Sequence, residues 1–221
     1  MVAVDLGRLL TRSDRLLAGL RVEGREHLDA AMARSERALA VTAHLGSWEL
    51  LSLAPTLIGY PVSIVVRPLD SGWLDRLVAR ARRSGGIEVI AKRHAARPML
   101  EALRRRRIVA LLLDQNASRR EGVFVPFFGR LASTSRSAAV LSLRTGAPIL
   151  PVFIRREDQT RHVITFEPAL PEPRGSGEDA VVELTAGCTE AIERAIRGAP
   201  EQWLWLHDRW RTRPPTETTR I

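Results

Sequence analysis

The sequence predicts an α/β domain whose mixed, mostly parallel central sheet is flanked by helices on both faces. Short apolar, β-branched runs alternate with helical stretches of about ten or more residues, the pattern of strands joined by crossover helices. No internal repeat and no linker-like stretch divides the chain. Its 221 residues, 45% hydrophobic and 27% charged, suffice for one medium core and exclude disordered, collagen-like and disulfide-stapled classes.

Charges of both signs at helical spacing predict an amphipathic helix over 26–37. The apolar run 38–43 follows as a strand, with His44 and Gly46 in the turn after it. Ser47 suits the N-cap of a helix reaching Leu57, since its hydroxyl can take up orphan N–H groups, and Gly59-Tyr60-Pro61 stops that helix. Residues 62–66 read as a buried strand, 72–84 as a helix ended by Gly85-Gly86, and 87–90 as a short strand. A helix over 97–106 leads to 108–113, the most apolar strand in the chain. After Val123 to Phe128, Gly129 marks a turn that needs positive φ. A helix over 135–145, strands over 149–155 and 163–167, a Pro- and Gly-rich loop over 171–178 and two helices over 179–197 and 201–209 close the chain. Ligands of such sheets bind beyond the carboxyl ends of the strands, which puts His44, Arg67 and Asp114 on one functional edge.

The charge balance is strongly basic: 34 Lys+Arg against 25 Asp+Glu give +9, and Lys92 is the one lysine. Codon bias accounts for the arginine preference as readily as function does, but either way the surface favours anionic partners. A single cysteine, Cys188, excludes an intramolecular disulfide and a cysteine-rich metal site and suits a reducing compartment. No secretory signal pattern follows Met1. The longest uncharged stretch, 50–66, is interrupted by Pro55, Gly59 and Pro61 and falls short of the roughly 20 apolar residues of a membrane span. Membrane association is therefore expected to be peripheral.

Three sets of residues carry candidate chemistry. In His44-Leu-Gly-Ser-Trp-Glu49 a histidine precedes a carboxylate by five positions. On a continuous helix that step rotates by about 500°, so the two do not meet; on a strand-to-helix turn they can. A carboxylate on one imidazole nitrogen fixes the tautomer and leaves the other free to take a proton. Spacing alone favours a capping or core histidine, because a glutamate five residues after a histidine is common by chance. The second set is arginine: Arg67 after the strand 62–66, Arg82 before Gly86 and Arg93 after the strand 87–90, each able to grip phosphate or carboxylate in a bidentate way. A solvated helix face is the plainer account of Arg82. The third is Asp114, at the end of the most apolar strand, with Glu121 in the block that follows.

Other chemistries fail. No G-x-S-x-G elbow, Walker A lysine motif or G-x-G-x-x-G occurs, and the five histidines lack zinc spacing, so no metal is expected. Nucleic-acid binding suits the charge but has no recognition signature.

Seven blocks, Val22-Glu-Gly-Arg-Glu-His-Leu28, Val41-Thr-Ala-His-Leu-Gly-Ser-Trp-Glu49, Val66-Arg-Pro68, Leu113-Asp-Gln115, Gly122-Val-Phe-Val-Pro-Phe-Phe-Gly129, Thr145-Gly-Ala-Pro148 with Pro151, and Pro200-Glu-Gln-Trp-Leu-Trp-Leu-His207 with Arg209-Trp210, occur in this order. In that order they resemble the bacterial lipid A biosynthesis (lauroyl/myristoyl) acyltransferase family. The resemblance implies the glycerolipid acyltransferase fold and transfer of a fatty acyl group from acyl carrier protein, or acyl-CoA, to a hydroxyl of an anionic glycolipid, a lipid A precursor by default. It implies His44 as general base oriented by Glu49, with no covalent acyl-enzyme and no cofactor beyond the thioester co-substrate. Arg67, Arg82 and Arg93 fall where the family places basic residues near the acceptor's phosphates or the reacting ester. Asp114 and Glu121 lie in the block that follows, and the resemblance offers either as a second acidic partner for His44.

The family usually carries a longer N-terminal region with a hydrophobic anchor, so a short form is expected here: residues 1–20 as a basic segment and 21–221 as one acyltransferase domain. Leucines among arginines in that segment suit an amphipathic helix in the bilayer interface or one packed on the protein's own core. The expected location is the cytoplasmic face of the bacterial inner membrane. Phosphatidylinositol mannoside or lysophospholipid acylation, thioester hydrolysis, and non-catalytic lipid binding on the same fold are the alternatives.

Overall fold

The strand expected over 38–43 forms as β2 (Ala38–Thr42), and all five of its residues are buried. It lies at the middle of a seven-stranded sheet, the principal element of the computed structural model. The structure describes residues 18–53, 57–66, 72, 76, 80, 82, 86–158 and 160–215. Arg67, and the N-terminal segment up to residue 17, lie outside the described residues.

Across the sheet the order is β1 (Leu20–Glu23), β9 (His162–Phe166), β8 (Ile149–Arg156), β2, β5 (Ile108–Leu112), β3 (Val62–Val66) and β4 (Glu88–Ala91). Neighbours run parallel except β8 and β9, which are antiparallel, so the expected mixed and mostly parallel sheet is what forms. Strands β6 (Gly122–Phe127) and β7 (Arg130–Ser135) make a separate antiparallel ribbon. The described helices are α1 (Arg25–Ser35), α2 (Ala96–Arg104), α3 (Ser137–Thr145) and α4 (Gly177–Gly198).

Alternation along β2 divides the core in two. Leu39 and Val41 point to one face, where they pack with Met99 of α2, Ala138 of α3, Leu184 of α4 and Val125 of the ribbon. Ala38 and Ala40 point to the other, with Leu28 and Met32 of α1 and with Leu50. Because each face is covered, the strands are apolar runs rather than alternating ones. Cys188 is fully buried in α4 and burial pushes its thiol up to about 12.

Three elements depart from expectation. Of the helix expected over 47–57, Trp48–Leu53 forms a 3₁₀ turn, and 54–56 lie outside the described residues. The closing helix over 201–209 is only the 3₁₀ turn Pro200–Gln202, after which the chain becomes an irregular strap. There the backbone bonds elsewhere: the Leu204 N–H donates to the His44 carbonyl at 3.0 Å, and Trp203 forms an isolated antiparallel bridge with Leu45. The third departure is the unexpected β7. Phe128 and Gly129 both adopt positive φ, 51° and 74°, as a two-residue hairpin turn requires, and they send the chain straight back along β6.

The strap is anchored by Arg209, only 1% exposed. Its guanidinium donates to the Ser133 carbonyl at 2.8 Å and to Thr134 Oγ1 at 2.5 Å, and it stands 4.9 Å over the Phe127 ring. Burial pushes its pKa down to about 10, so it stays protonated at neutral pH. Charge-assisted hydrogen bonds contribute about 1.5–3 kcal/mol each. Arg209→Ala should therefore lower the unfolding free energy by about 3 kcal/mol in urea titration. A loss under about 1 kcal/mol would show that the strap is held by other contacts.

Candidate active site

Parallel pairing of β2 with β5 matches Thr42 to Leu112, and the ladder runs one bond further, from the Leu113 N–H to the Thr42 carbonyl. His44 and Asp114 thus leave the sheet side by side, two residues beyond their strands. The His44 ring meets the carboxylate directly, Nδ1 to Asp114 Oδ1 at 2.8 Å. Asp114 Oδ2 accepts two more bonds, from the His44 backbone N–H at 3.0 Å and the Trp203 indole N–H at 2.9 Å.

The electrostatics follow from burial. The Asp114 side chain is 2% exposed and that of His44 19%. Burial alone would raise the Asp114 pKa, but the hydrogen bond and charge of the His44 ring, with the bonds from Trp203 and the His44 backbone, outweigh it and hold the carboxyl below the usual aspartate value. An ionised carboxylate only accepts, so the proton of a neutral His44 ring sits on Nδ1 and the lone pair on Nε2. The Trp48 ring packs edge-on against the imidazole, centroids 5.3 Å apart, and further limits its rotation.

The turn between His44 and Trp48 is equally constrained. Gly46 has φ +58°, and a Cβ there would lie 2.4 Å from the Ile154 carbonyl oxygen. Its N–H donates to the Gln202 carbonyl at 2.9 Å. The Ser47 hydroxyl, expected as a helix cap, instead lies 3.1 Å from His162 Nε2, and both residues are buried.

Glu49 does not take the place expected for it. Its two carboxylate oxygens accept from the Arg82 guanidinium at 2.9 and 3.0 Å, in an ion pair whose side chains are 15% and 13% exposed. The first turn of the short 3₁₀ helix directs Glu49 to Arg82, while the strand register has already delivered Asp114 to His44. The carboxylate bonded to the His44 ring is therefore Asp114, and Glu49 is paired with Arg82. Arg82, for which a solvated helix face was the plainer account, is in fact mostly buried. Arg93 is exposed in the turn after β4, three strands from β2. Glu121 is exposed at the foot of β6 and accepts from Ser118 Oγ at 3.1 Å, so it does not join the histidine.

Three residues of the site were not singled out by pattern. Trp203 caps Asp114, His207 Nε2 accepts the Asn116 N–H at 2.8 Å, and the Asn116 amide exchanges two 3.0 Å bonds with Thr212. Burial lowers the His207 pKa, as do the Arg209 and Arg211 charges, against the opposing pull of Asp114. The signal in the sequence was the density of tryptophan, three within 203–210.

A model of the bacterial lipid A biosynthesis acyltransferase family matches residues 1–212. The chain belongs to this family. Its relatives include the lipid A biosynthesis palmitoleoyltransferase of Escherichia coli, 30% identical over 200 residues, covering 90% of this chain and 63% of that protein. The lauroyltransferase of the same organism is 28% identical, covering 90% and 64%. A phosphatidylinositol mannoside acyltransferase of Mycobacterium tuberculosis is 28% identical, covering 92% and 62%. The chain thus spans less than two thirds of the length of these relatives. A crystal structure of the 1-acyl-sn-glycerophosphate acyltransferase from Thermotoga maritima aligns with a TM-score of 0.48 at 15% identity, covering 90% of this chain and 81% of that one.

In a member of this family so arranged, the Asp114 carboxylate stabilises the folded state above the unfolded-chain value of 3.8, and that stabilisation is lost as pH falls through the lower folded value. Asp114→Asn should be less stable than wild type at pH 7, and the gap should narrow as pH falls below the unfolded-chain aspartate value and through the lower folded one. A gap independent of pH would refute the ionised pair. Gly46→Ala, forced against Ile154, should lose about 2 kcal/mol or more in thermal unfolding.

Proposed function

We propose that the protein transfers a fatty acyl group from an acyl carrier protein thioester, or acyl-CoA, to a hydroxyl of a glycolipid, by default a lipid A precursor, at the cytoplasmic face of the bacterial inner membrane. One observation carries the reading: the carboxyl end of the sheet presents a partly buried histidine whose Nδ1 is held by a buried carboxylate, leaving Nε2 for chemistry. Nε2 removes the acceptor hydroxyl's proton as the oxygen attacks the thioester carbonyl. The tetrahedral intermediate then collapses, breaking the C–S bond, and the imidazolium returns its proton to the departing thiolate. Asp114 stabilises the transient imidazolium.

Among the described residues, burial argues against two candidate nucleophiles for a covalent acyl-enzyme. Cys188 is fully buried with its thiol pushed up to about 12, and Ser47 is 2% exposed. The thioester is the only co-substrate in this scheme, and no metal or further cofactor takes part. Arg82, fixed by Glu49, and Arg67 and Arg93 serve the acceptor's phosphates in the same reading. No described helix is long and apolar enough to cross a membrane, so contact through the protein's surface suits the described part of the chain. Phosphatidylinositol mannoside is the second acceptor reading, favoured by the similarity to the mycobacterial enzyme.

Purified protein incubated with acyl carrier protein thioester and a panel of lipid A precursors and phosphatidylinositol mannosides tests the assignment. A positioned general base contributes about 10²–10⁴-fold, so His44→Ala should lose that much turnover, and Asp114→Asn on the order of 10². Equal turnover by wild type and His44→Ala overturns the assignment. Release of free fatty acid in place of acylated lipid identifies a thioester hydrolase, and no turnover on any acceptor identifies a lipid-binding protein.

A further inference from the structure

The strap that caps Asp114 also carries the most exposed large apolar side chain described: Leu206 is 94% exposed, and the neighbouring Trp205 is 55% exposed. We propose that the Trp205-Leu206 turn is a membrane wedge, which inserts into the surface of an anionic lipid bilayer and holds the His44–Asp114 site against it. The proposal deepens the acyl-transfer reading, which it takes as the reason for a lipid-facing site; the wedge itself rests on exposure, rigidity and charge.

A single exposed leucine needs no explanation on its own. Here three further features meet at the same turn. First, the turn is rigid. The Trp205 indole N–H donates to the Pro200 carbonyl at 2.7 Å, the Trp205 backbone N–H to the Trp203 carbonyl at 3.0 Å, and the Leu204 N–H to the His44 carbonyl. The Trp205 ring packs edge-on against Trp203 at 4.5 Å and reaches Phe128 at 6.4 Å. An apolar group displayed on a fixed base loses little conformational freedom when it is buried in a partner.

Second, the aromatic cluster behind the turn is ringed by cations. The Arg197 guanidinium stands 4.9 Å over Phe128 and that of Arg130 5.4 Å over Trp210, while Arg211 and Arg213 are exposed further along the strap. Acidic groups in the same region are Glu193, paired with Arg197, and the exposed Glu201 and Asp208, in a chain of net charge +9. Indole and leucine flanked by arginine suit the boundary between acyl chains and anionic headgroups. Third, the wedge is joined to the chemistry: Trp203, on which Trp205 packs, donates to Asp114. A second copy of this chain is the poorer occupant, because one leucine and one indole edge bury far less than the roughly 800 Å² per partner of a stable dimer.

The test is sedimentation of the full chain with phosphatidylcholine vesicles containing phosphatidylglycerol, beside vesicles of phosphatidylcholine alone. Wild type should partition onto the anionic vesicles, with quenching of tryptophan fluorescence by lipids brominated near the headgroup. Leu206→Asp should weaken that partition at least about tenfold, and Leu206→Phe should keep it. Unchanged circular dichroism and melting show that Leu206→Asp is folded; were it not, Leu206→Ser makes the same comparison. Equal partition of wild type and folded variant overturns the wedge, because another surface is then docking. So does failure of wild type to bind anionic vesicles, or a dimer in lipid-free solution that the variant disperses. Turnover of acyl thioester with a water-soluble acceptor should survive Leu206→Asp and vanish in His44→Ala. Leu206-dependent binding without any turnover sinks the acyl-transfer reading and leaves the wedge standing.

Discussion

A buried carboxylate must be surrounded by donors, and the functional end of this protein is organised by that requirement at Asp114. Taking its charge out of water without partners would cost several kcal/mol. Three N–H groups answer it, two from His44 and one from Trp203. Each comes from a different demand on the fold: a strand register that lays β2 beside β5, a turn that swings the imidazole inward, and a C-terminal strap that crosses both strand ends. Loss of any one leaves the charge under-solvated, so the tautomer of His44 is a property of the whole sheet edge.

The strap shows how an irregular segment is made definite. It has no regular ladder beyond one bridge to Leu45, yet its groups bond to the functional loops at nearly every step: Gln202 to Gly46, Leu204 to His44, His207 to Asn116, Thr212 to Asn116. Arg209 closes it, a buried cation that bonds to two neutral oxygens of β7 and stands over the Phe127 ring of β6. Such an anchor is directional where a leucine would not be.

Much of the architecture was legible because local pattern and global fold agree. Runs such as 38–43 and 108–113 are too apolar and too short to be anything but buried strands, and their ends located His44 and Asp114 on one edge. What failed was whatever depended on contacts distant in sequence. The Ser47 to Leu57 stretch has helical composition, yet its turn is tied to β8 and β9 through Ile154 and His162, which local spacing does not report. The choice between Glu49 and Asp114 is of the same kind. Five residues of spacing made Glu49 the natural partner of His44, whereas seventy residues separate the histidine from the carboxylate that holds it. A register between parallel strands decided the matter, and no window along the chain contains it.

That separation also has a consequence in time. The parts of the site lie at positions 44, 114 and 203, joined by contacts across 70 and 89 residues. Contacts of such range form late in folding, since the loops between them must close first. During synthesis β2 and β5 emerge long before the strap, so a nascent chain carries the histidine and the aspartate without the indole that completes their burial. The arrangement therefore draws on all three thirds of the chain together, and its completion is itself a signature of finished folding.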